Sequence, residues 1–334
     1  MPSPHGAPPT GVLLFNLGGP DDLASVEPFL VNLFSDREII ELPLGAALQP
    51  LFARLIAKLR GPSVRRNYAS IGGGSPQLRL TLEQAAALEA RLNGNGDRFR
   101  SFVAMRYWNP STEAALESMA EAGVERVVTL TLYPHYSRAT TGSSQRELER
   151  ALATPRWKGR FRVSGVDRYP ADPAYLDALT ATVREGLEAF PAAVRQRVVI
   201  LFSAHGLPQR FIERGDPYVE ETEATRDGVL ERLAAGNRHL LGYQSRTGPV
   251  KWIGPGTEEL LDELAREGVR EVLVVPLSFV SDHIETLYEV DQLFGDRARA
   301  AGISDYRRSP ALNASPRFIE ALAGLVERHL ATNP

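Results

Sequence analysis

The chain of 334 residues contains no cysteine. This absence excludes disulfide bonds, cysteine-ligated zinc sites and cysteine-ligated iron–sulfur clusters within the chain. No stretch approaches the roughly 18 consecutive apolar residues that a membrane-spanning helix needs. Residues 1–11, MPSPHGAPPTG, lack the basic and apolar regions of a signal peptide. We therefore expect a short disordered leader and a cytoplasmic protein.

The sequence also lacks a strong excess of charge of either sign. Its 38 Lys and Arg residues stand against 41 Asp and Glu residues, a formal net charge of −3. This balance gives no electrostatic reason to expect nucleic acid as a partner. The first glycine-rich loop, NLGGPDD at residues 16–22, does not supply G-x-G-x-x-G, and Asp21 and Asp22 would repel a pyrophosphate. A nucleotide site is therefore not expected.

What is present is the composition of a globular protein, 43% hydrophobic and 24% charged, long enough for two domains. Residues 198–218, VVILFSAHGLPQRFIERGDPY, predict a buried strand that ends at a Gly-Pro loop. Because ligands of open α/β sheets bind at the carboxyl ends of strands, His205 occupies a position where chemistry usually occurs. A neutral imidazole there can act as a base or as a metal ligand. A hydrogen-bonded structural histidine is the alternative for this stretch alone.

A second buried strand, in residues 269–291, leads into a polar cluster. Its ionisable members lie within ten positions of the chain: Asp282, His283, Glu285, Glu289 and Asp291. A helix that begins near Ser281 or Asp282 would place Glu285 and Glu289 on one face. Like charges at this spacing oppose each other unless a cation or a proton intervenes, which indicates a metal or proton path. The alternative is a solvated helix start, capped by Ser281 or Asp282 with Glu285 as the capping-box acid.

Two pairs of segments suggest an internal duplication. Residues 123–137 (GVERVVTLTLYPHYS) parallel residues 268–282 (GVREVLVVPLSFVSD), and residues 12–20 loosely parallel residues 200–208. Repeated strand–loop–helix material of this kind predicts two similar α/β lobes. Amphipathic patterns between the strands predict parallel sheets with crossover helices, at residues 82–93, 112–122, 172–188 and 257–267.

Ordered blocks along most of the chain, from about residue 11 to about residue 310, resemble those of the ferrochelatase family. They are GVLLFNLGGPDD (11–22), YASIGGGSP (68–76), MRYWNPSTEAAL (105–116), TLYPHYSRATTGSS (131–144) and YQSRTGPVKWIGPGT (243–257), together with the SAHGLP and SFVSDHIETLYEVD segments. The resemblance implies an enzyme that inserts ferrous iron into a porphyrin at the end of haem synthesis.

The resemblance also implies a fold of two Rossmann-like lobes, each a parallel sheet flanked by helices, with the porphyrin in the cleft between them. We expect residues 10–168 and 308–334 to form the first lobe, and residues 169–307 to form the second, which carries His205 and Glu285. The apolar segment 34–59 is interpreted as a lip over the pocket, with a plain core helix as the alternative. Contact of this lip with a membrane surface is a further hypothesis.

The resemblance assigns site residues by their position in the matching motifs. His205 and Glu285 match the functional pair that faces the centre of the macrocycle, with catalytic and metal-binding roles for both. The expected substrate contacts are Arg106, Tyr107, Phe279, Leu17 and Ser203. Supporting or proton-path roles fall to Asp282, His283 and Glu289, and Asp282 could fix an imidazole tautomer. Arg106 suits a propionate, with a buried structural pair as the alternative; a role of Tyr133 and His135 in metal delivery is left open.

Ferrous iron is then the substrate metal, and no organic cofactor is expected. Some ferrochelatases carry a [2Fe–2S] cluster on cysteines, which this chain cannot bind. The apolar 34–59 segment favours protoporphyrin IX as the substrate over coproporphyrin III, which bears more propionates. A cobalt or nickel chelatase for an earlier tetrapyrrole and a non-catalytic tetrapyrrole- or solute-binding protein are the alternatives. We expect a monomer.

Overall fold

The computed structural model describes residues 8–39, 45, 48–94, 96, 98–246, 248 and 250–333. The predicted leader at residues 1–7, and the part of the predicted lip at residues 40–44, 46 and 47, lie outside the described residues. No helix in the described ranges is long and apolar enough to cross a membrane.

The described chain alternates strands with helices, the order typical of parallel α/β sheets. The strands are β1 (Thr10–Asn16), β2 (Phe99–Met105), β3 (Arg126–Thr131), β4 (Arg162–Val166), β5 (Val199–His205), β6 (His239–Gln244), β7 (Glu271–Pro276) and β8 (Asp305–Arg308). The α-helices are α1 (Val26–Ser35), α2 (Gln49–Ser70), α3 (Gln77–Leu92), α4 (Thr112–Glu121), α5 (Thr141–Leu152), α6 (Pro173–Glu188), α7 (Gln209–Glu213), α8 (Tyr218–Leu233), α9 (Thr257–Arg266), α10 (Gly295–Ala301) and α11 (Pro316–Thr332). A π-helical segment, Glu285–Phe294, leads into α10.

The chain divides into two compact units. The first comprises Met1–Tyr133, Arg138–Arg168 and Ile319–Pro334, and the second comprises Pro134–Ser137 and Tyr169–Phe318. Residues 308–318 belong to the second unit, whose last strand, β8, ends at Arg308 and pairs with β7. The predicted domain boundaries, 10–168 plus 308–334 and 169–307, stay a prediction, since compactness does not show which part folds independently.

The first unit contains a parallel four-stranded sheet of order β2-β1-β3-β4. Its central strand β1 is buried along almost its whole length, as expected for a parallel sheet covered on both faces. On one face the strand residues Leu13 and Phe15 pack against Leu116 and Met119 of α4. The C-terminal helix α11 joins this unit, where Glu320 accepts hydrogen bonds from Arg91 of α3.

The second unit repeats this arrangement with a parallel sheet of order β6-β5-β7-β8. In both units the first strand in sequence lies between the second and the third, so β5 corresponds to β1 and β7 to β3. Residues 199 to 204 of β5 are buried. Leu201 and Val274 pack with Leu261 of α9 and Phe294 of the π-helical segment. The predicted fold class, two similar α/β lobes built on parallel sheets, is confirmed.

Helix α2 contains the described part of the predicted lip that follows the gap. Its residues Ala53 and Ala57 are buried, whereas Leu51, Leu55 and Leu59 are 63%, 51% and 72% exposed. These leucines recur every four residues, so they form one apolar stripe along the helix. We call Leu51, Leu55 and Leu59 the leucine stripe. A plain core helix would bury such a stripe, so the core alternative does not describe this face of α2.

Candidate functional site

His205 is the last residue of β5, a central strand of its sheet, so its side chain stands at the carboxyl edge. The chain turns immediately afterwards at Gly206, whose amide donates to the carbonyl of Gln244 at 2.8 Å. A Cβ at position 206 would lie 2.7 Å from that carbonyl oxygen, so only glycine permits this close approach. The strand and the glycine turn together fix where the imidazole emerges.

Glu285, the first residue of the π-helical segment, contacts His205 directly. Its Oε2 lies 2.8 Å from Nδ1 of the imidazole. The side chains of His205 and Glu285 are 34% and 18% exposed, so the pair is accessible but largely shielded from water. The backbone amide of His205 donates to Oγ of Ser278, which the hydroxyl of Tyr218 also contacts. Nδ1 is therefore engaged, and Nε2, without a hydrogen-bond partner in the described part of the chain, is the nitrogen open to a substrate.

Glu289 lies one turn after Glu285 and is joined to it through Ser245. The Ser245 hydroxyl lies 3.0 Å from Oε2 of Glu285 and 2.5 Å from Oε2 of Glu289. The Ser245 amide donates to Oε1 of Glu289 at 2.7 Å, and Nε2 of Gln244 donates to Glu285 at 3.2 Å. The predicted shared face of Glu285 and Glu289 is thus observed. The capping-box alternative is wrong, because the hydrogen bonds of Glu285 go to side chains across the site.

The electrostatics of the three ionisable groups follow from burial and proximity. Burial, and then the charge of Glu285, raise the pKa of Glu289 to about 7. Burial opposes ionisation of Glu285, but the neighbouring His205 outweighs it and holds the pKa of Glu285 below its usual range. Burial likewise opposes the charged imidazole, yet the two carboxylates raise the pKa of His205. The arrangement strengthens His205 as a base and lets Glu289 exchange a proton near neutral pH.

The Ser245 hydroxyl carries one hydrogen but contacts two carboxylates, so it can donate to only one of them at a time. When the hydroxyl donates to Glu285, its contact with Glu289 requires a proton on the Glu289 carboxyl, which agrees with the raised pKa of Glu289. Ser245 also has a positive φ of 62°, a left-handed conformation that costs about 1–3 kcal/mol for a residue with a Cβ. This conformation directs its amide and hydroxyl to the same side.

Phe279 and His283 extend the site beyond the ion pair. The Phe279 ring is centred 6.1 Å from that of His205 and 3.9 Å from that of His283. His283 is buried, which lowers its pKa and keeps it neutral. Since the Ser281 carbonyl can only accept, Nδ1 of His283 is its donor at 3.1 Å, and Nε2 has no hydrogen-bond partner among the residues that the structure describes.

Asp282 has different partners from those expected. The sequence-based role was to fix an imidazole tautomer, whereas in the structure its carboxylate accepts from Asn313 at 3.0 Å and from Thr286 at 3.1 Å, and pairs with Arg308 at 3.0 Å. Nδ1 of His283 is instead bound by a backbone carbonyl. Asp282 therefore holds the start of the π-helical segment, a structural position next to the site.

Ser203 is also directed inward. It is 1% exposed within β5, and its hydroxyl donates to Oε1 of Gln244 at 2.7 Å and contacts Thr257 at 2.8 Å. Because Gln244 in turn donates to Glu285, Ser203 contacts the site indirectly, through the Gln244 side chain. Its expected role as a substrate contact does not match this burial.

Arg106 and Tyr107 lie in the first unit, where they converge on one carboxylate. Oδ2 of Asp36 accepts from Arg106 at 2.9 Å, from the Tyr107 hydroxyl at 2.6 Å and from Ser143 at 2.5 Å. The side chains of Arg106 and Asp36 are only 15% and 8% exposed. Of the two interpretations of Arg106, the buried pair is the one observed. A cavity of about 200 Å³ next to this cluster is lined by Arg106, Tyr107 and Glu147, among others.

The remaining candidates follow strands β1 and β3: Leu17, Tyr133 and His135. Leu17 follows β1, and its carbonyl accepts from the Tyr107 amide at 3.0 Å. Tyr133 is buried after β3. His135 is buried within the second unit, with Nε2 2.8 Å from Oγ1 of Thr225. Among the described residues, no hydrogen bond or ring contact of Leu17, Tyr133 or His135 reaches His205 or Glu285.

No group of three or more His, Cys, Asp or Glu side chains in the described ranges is arranged to hold a metal ion. His205 and Glu285 nevertheless offer one nitrogen and one carboxylate, donors that suit divalent iron. A closed structural metal site would supply more protein ligands. An open pair is suited to a metal that passes through.

The chain is similar to known proteins over almost its whole length. The family model for ferrochelatase matches residues 9–330. A protein named ferrochelatase from Geotalea uraniireducens (strain Rf4) is 53% identical over 323 residues, covering 97% of this chain and 98% of its own. Another from Synechococcus sp. (strain JA-3-3Ab) is 47% identical over 327 residues, covering 97% of this chain and 94% of its own. The chain belongs to the ferrochelatase family. It is therefore a metal chelatase, and the resemblance found in the sequence is confirmed.

Solved structures support the fold of this ferrochelatase-family chain. SirB from Bacillus subtilis with Fe3+ has a TM-score of 0.56 at 11% identity, covering 97% of both chains. The sirohydrochlorin chelatase SirB from Bacillus subtilis subspecies spizizenii in complex with cobalt has a TM-score of 0.55 at 12% identity, covering 98% of this chain and 97% of its own. At such low identity the similarity shows a shared chelatase fold alone.

Sequence reasoning missed two site residues of this family member, Gln244 and Ser245. They stand at the end of β6, which pairs with β5 so that Gln244 lies opposite His205. The rule that placed His205 at a strand end also applies to the neighbouring strand. That rule would have identified them once the sheet order was known.

Proposed function

We propose that this chain inserts ferrous iron into a free-base porphyrin and releases the pyrrole protons. The observation that carries this proposal is the 2.8 Å contact between His205 and Glu285 at the carboxyl edge of the second sheet. Metalation requires a base close to the macrocycle and a route for a desolvated cation. The imidazole of His205 supplies the base, and the carboxylate of Glu285 next to it supplies a ligand for the cation.

In the proposed reaction His205 and Glu285 have catalytic and metal-contacting roles. Neutral His205 donates Nδ1–H to Glu285 and accepts a pyrrole proton at Nε2, and the carboxylate stabilises the resulting imidazolium. The imidazolium then passes its Nδ1 proton to Glu285, and one proton moves through the Ser245 hydroxyl to Glu289 when the Glu289 carboxyl is ionised. Carboxylate oxygens of Glu285 and Glu289 also suit the incoming cation. Phe279 offers an aromatic face to the flat ring.

We favour protoporphyrin IX over coproporphyrin III as the substrate. Coproporphyrin bears more propionates and needs more cations at its binding site. Arg106, the cation expected to bind a propionate, is already paired with Asp36. The exposed leucine stripe of α2 provides apolar surface instead. A preference for coproporphyrin III in a competition assay would contradict this choice.

We further propose a cytoplasmic monomer that touches membranes through the leucine stripe. The stripe is apolar and exposed, and Arg54 and Lys58 lie beside it on the same helix, as in segments that rest on anionic lipid surfaces. The test is sedimentation with vesicles of anionic lipid. The Leu51→Ser/Leu55→Ser/Leu59→Ser variant should remain in the supernatant. Equal sedimentation of the wild type and the variant, or sedimentation of neither, would contradict membrane contact through the leucine stripe.

Light scattering tests the monomer, because it measures the mass of the protein in solution.

The deciding experiment is anaerobic metal insertion followed through loss of free-base porphyrin fluorescence. Fe²⁺ or Zn²⁺ is supplied with protoporphyrin IX and, separately, with coproporphyrin III. Turnover should collapse in His205→Ala and Glu285→Ala but persist in His239→Ala, a histidine exposed at the start of β6. A further arm offers Co²⁺ with an earlier tetrapyrrole. Tight porphyrin binding without turnover under any metal would contradict the enzymatic proposal and indicate a carrier.

A further inference from the structure

Strand β8 contacts the π-helical segment through Arg308. Its Nε and Nη2 donate to Oδ1 and Oδ2 of Asp291 at 2.7 and 3.0 Å, a bidentate pair. Its Nη1 lies 3.0 Å from Oδ1 of Asp282. The Arg308 side chain is only 12% exposed, while its partners Asp282 and Asp291 are 22% and 36% exposed. One guanidinium thus joins two carboxylates that are nine positions apart in the sequence.

These two carboxylates lie on either side of the residues that form the site. Asp282 precedes the π-helical segment, and Asp291 lies within it after Glu285 and Glu289. A second contact from β8 supports the same stretch, since the Tyr306 hydroxyl donates to the backbone carbonyl of Val290 at 2.7 Å. Strand β8 therefore holds both ends of the stretch that carries Glu285 and Glu289.

External support matters because π-helices are uncommon and usually limited to single-turn bulges. This segment runs for ten residues, and it competes with an α-helix of the same sequence. A change from i→i+5 to i→i+4 hydrogen bonding would rotate each later side chain around the helix axis. Glu289 would then turn away from Ser245, which binds it through both amide and hydroxyl.

We propose that Arg308 is a positioning residue for metal insertion: by binding Asp282 and Asp291 together, it maintains the π-helical backbone that presents Glu285 and Glu289. The proposal rests on the function proposed above, in which these glutamates contact the metal. Its neighbour Arg307 provides a matched control on the same strand. Arg307 pairs with Asp305 and donates to the carbonyl of Ala189, and within the described ranges it makes no hydrogen bond to the π-helical segment.

The test compares Arg308→Gln with Arg307→Gln, which lose the same charge from adjacent positions. We expect Arg308→Gln to lower kcat/KM for Fe²⁺ by about tenfold or more, since small misplacements of catalytic groups are costly. The affinity for protoporphyrin IX should stay within about twofold, because Arg308 touches neither His205 nor Phe279. Hydrogen–deuterium exchange should be about tenfold faster in a peptide covering residues 285–294. Arg307→Gln should change none of these.

Two further variants keep the proposal falsifiable if Arg308→Gln does not fold. Arg308→Lys retains the charge without the bidentate geometry, so its activity should fall between wild type and Arg308→Gln. Asp291→Asn removes the partner within the segment and should accelerate exchange in the same peptide. Unchanged exchange there, or unchanged kcat/KM for the metal despite a lower melting temperature, would overturn the proposal. If the wild type inserts no metal, the proposed function fails. The exchange measurement still tests whether Arg308 stabilises the π-helical segment.

Discussion

Nδ1 of His205 lies 2.8 Å from Oε2 of Glu285, although the two residues are 80 positions apart in the sequence. The contact joins the end of a central strand to the start of a π-helical segment. It makes the basicity of the imidazole dependent on a carboxylate from another element. Charge, rather than packing, is therefore the property of Glu285 that matters most to His205.

Replacing Glu285 with Gln should lower the pKa of His205, because the carboxylate that raises it is removed while the shape is kept. We expect metal insertion to slow by about 100-fold or more, because the base His205 loses the carboxylate that stabilises its imidazolium. NMR titration of the imidazole measures the pKa directly. An unchanged His205 titration in Glu285→Gln would show that the carboxylate does not control the base.

Ser245 offers a second test, because its hydroxyl and its strained backbone can be separated. Ser245→Gly and Ser245→Ala both lose the hydroxyl that contacts Glu285 and Glu289, so both should lose activity to the same extent. Glycine accepts the φ of 62° without strain, so the Gly variant should be about 1 kcal/mol more stable than the Ala variant. Urea denaturation and the insertion assay measure the two effects. Full activity in Ser245→Gly would exclude a role for the hydroxyl.

The sequence was sufficient to predict the strands and the edge at which His205 stands. Apolar runs indicate buried parallel strands. The apolar run at residues 198–202 covers the first four residues of β5 and the residue before it. The predicted helices at residues 82–93, 112–122, 172–188 and 257–267 each fall on an observed α-helix. These features depend on local periodicity, which one sequence displays.

Features that depend on distant contacts were not predictable in the same way. An i,i+4 pair such as Glu285 and Glu289 fits an α-helix as well as a π-helix, so the pattern could not distinguish them. Asp36 and Arg106 are 70 positions apart, and their pairing depends on how the chain returns to the sheet. The left-handed backbone of Ser245 is set by its partners, since serine does not favour it locally.

The buried pair in the first unit predicts a large stability effect. Asp36→Asn keeps the shape but removes the nearer and more buried counter-charge of Arg106, whose Nη1 lies 3.7 Å from Glu147; we expect this to cost about 3 kcal/mol of the free energy of unfolding. Glu83→Gln, which breaks the exposed pair with Arg79, should cost less than about 1 kcal/mol. Urea denaturation of both variants checks the difference. Equal effects would mean that Arg106 finds another partner or water in the variant.

His135 predicts how stability changes with pH. Burial lowers its pKa in the folded protein from the ordinary value of 6.5 to about 3. Between these values the unfolded chain binds a proton that the folded protein refuses, so stability present above pH 6.5 is lost as the pH falls. The loss is about 1.4 kcal/mol per pH unit, or about 2 kcal/mol by pH 5.

Urea denaturation at about pH 7 and about pH 5 should therefore show a larger drop for the wild type than for His135→Gln, by about 2 kcal/mol. His239→Gln, at an exposed position, is the control and should follow the wild type. His283 is also buried, and its lowered pKa acts in the same direction, so His135→Gln should retain part of the pH dependence. Identical drops in wild type and His135→Gln would mean that the folded protein accommodates a charged His135 despite its burial next to Thr225.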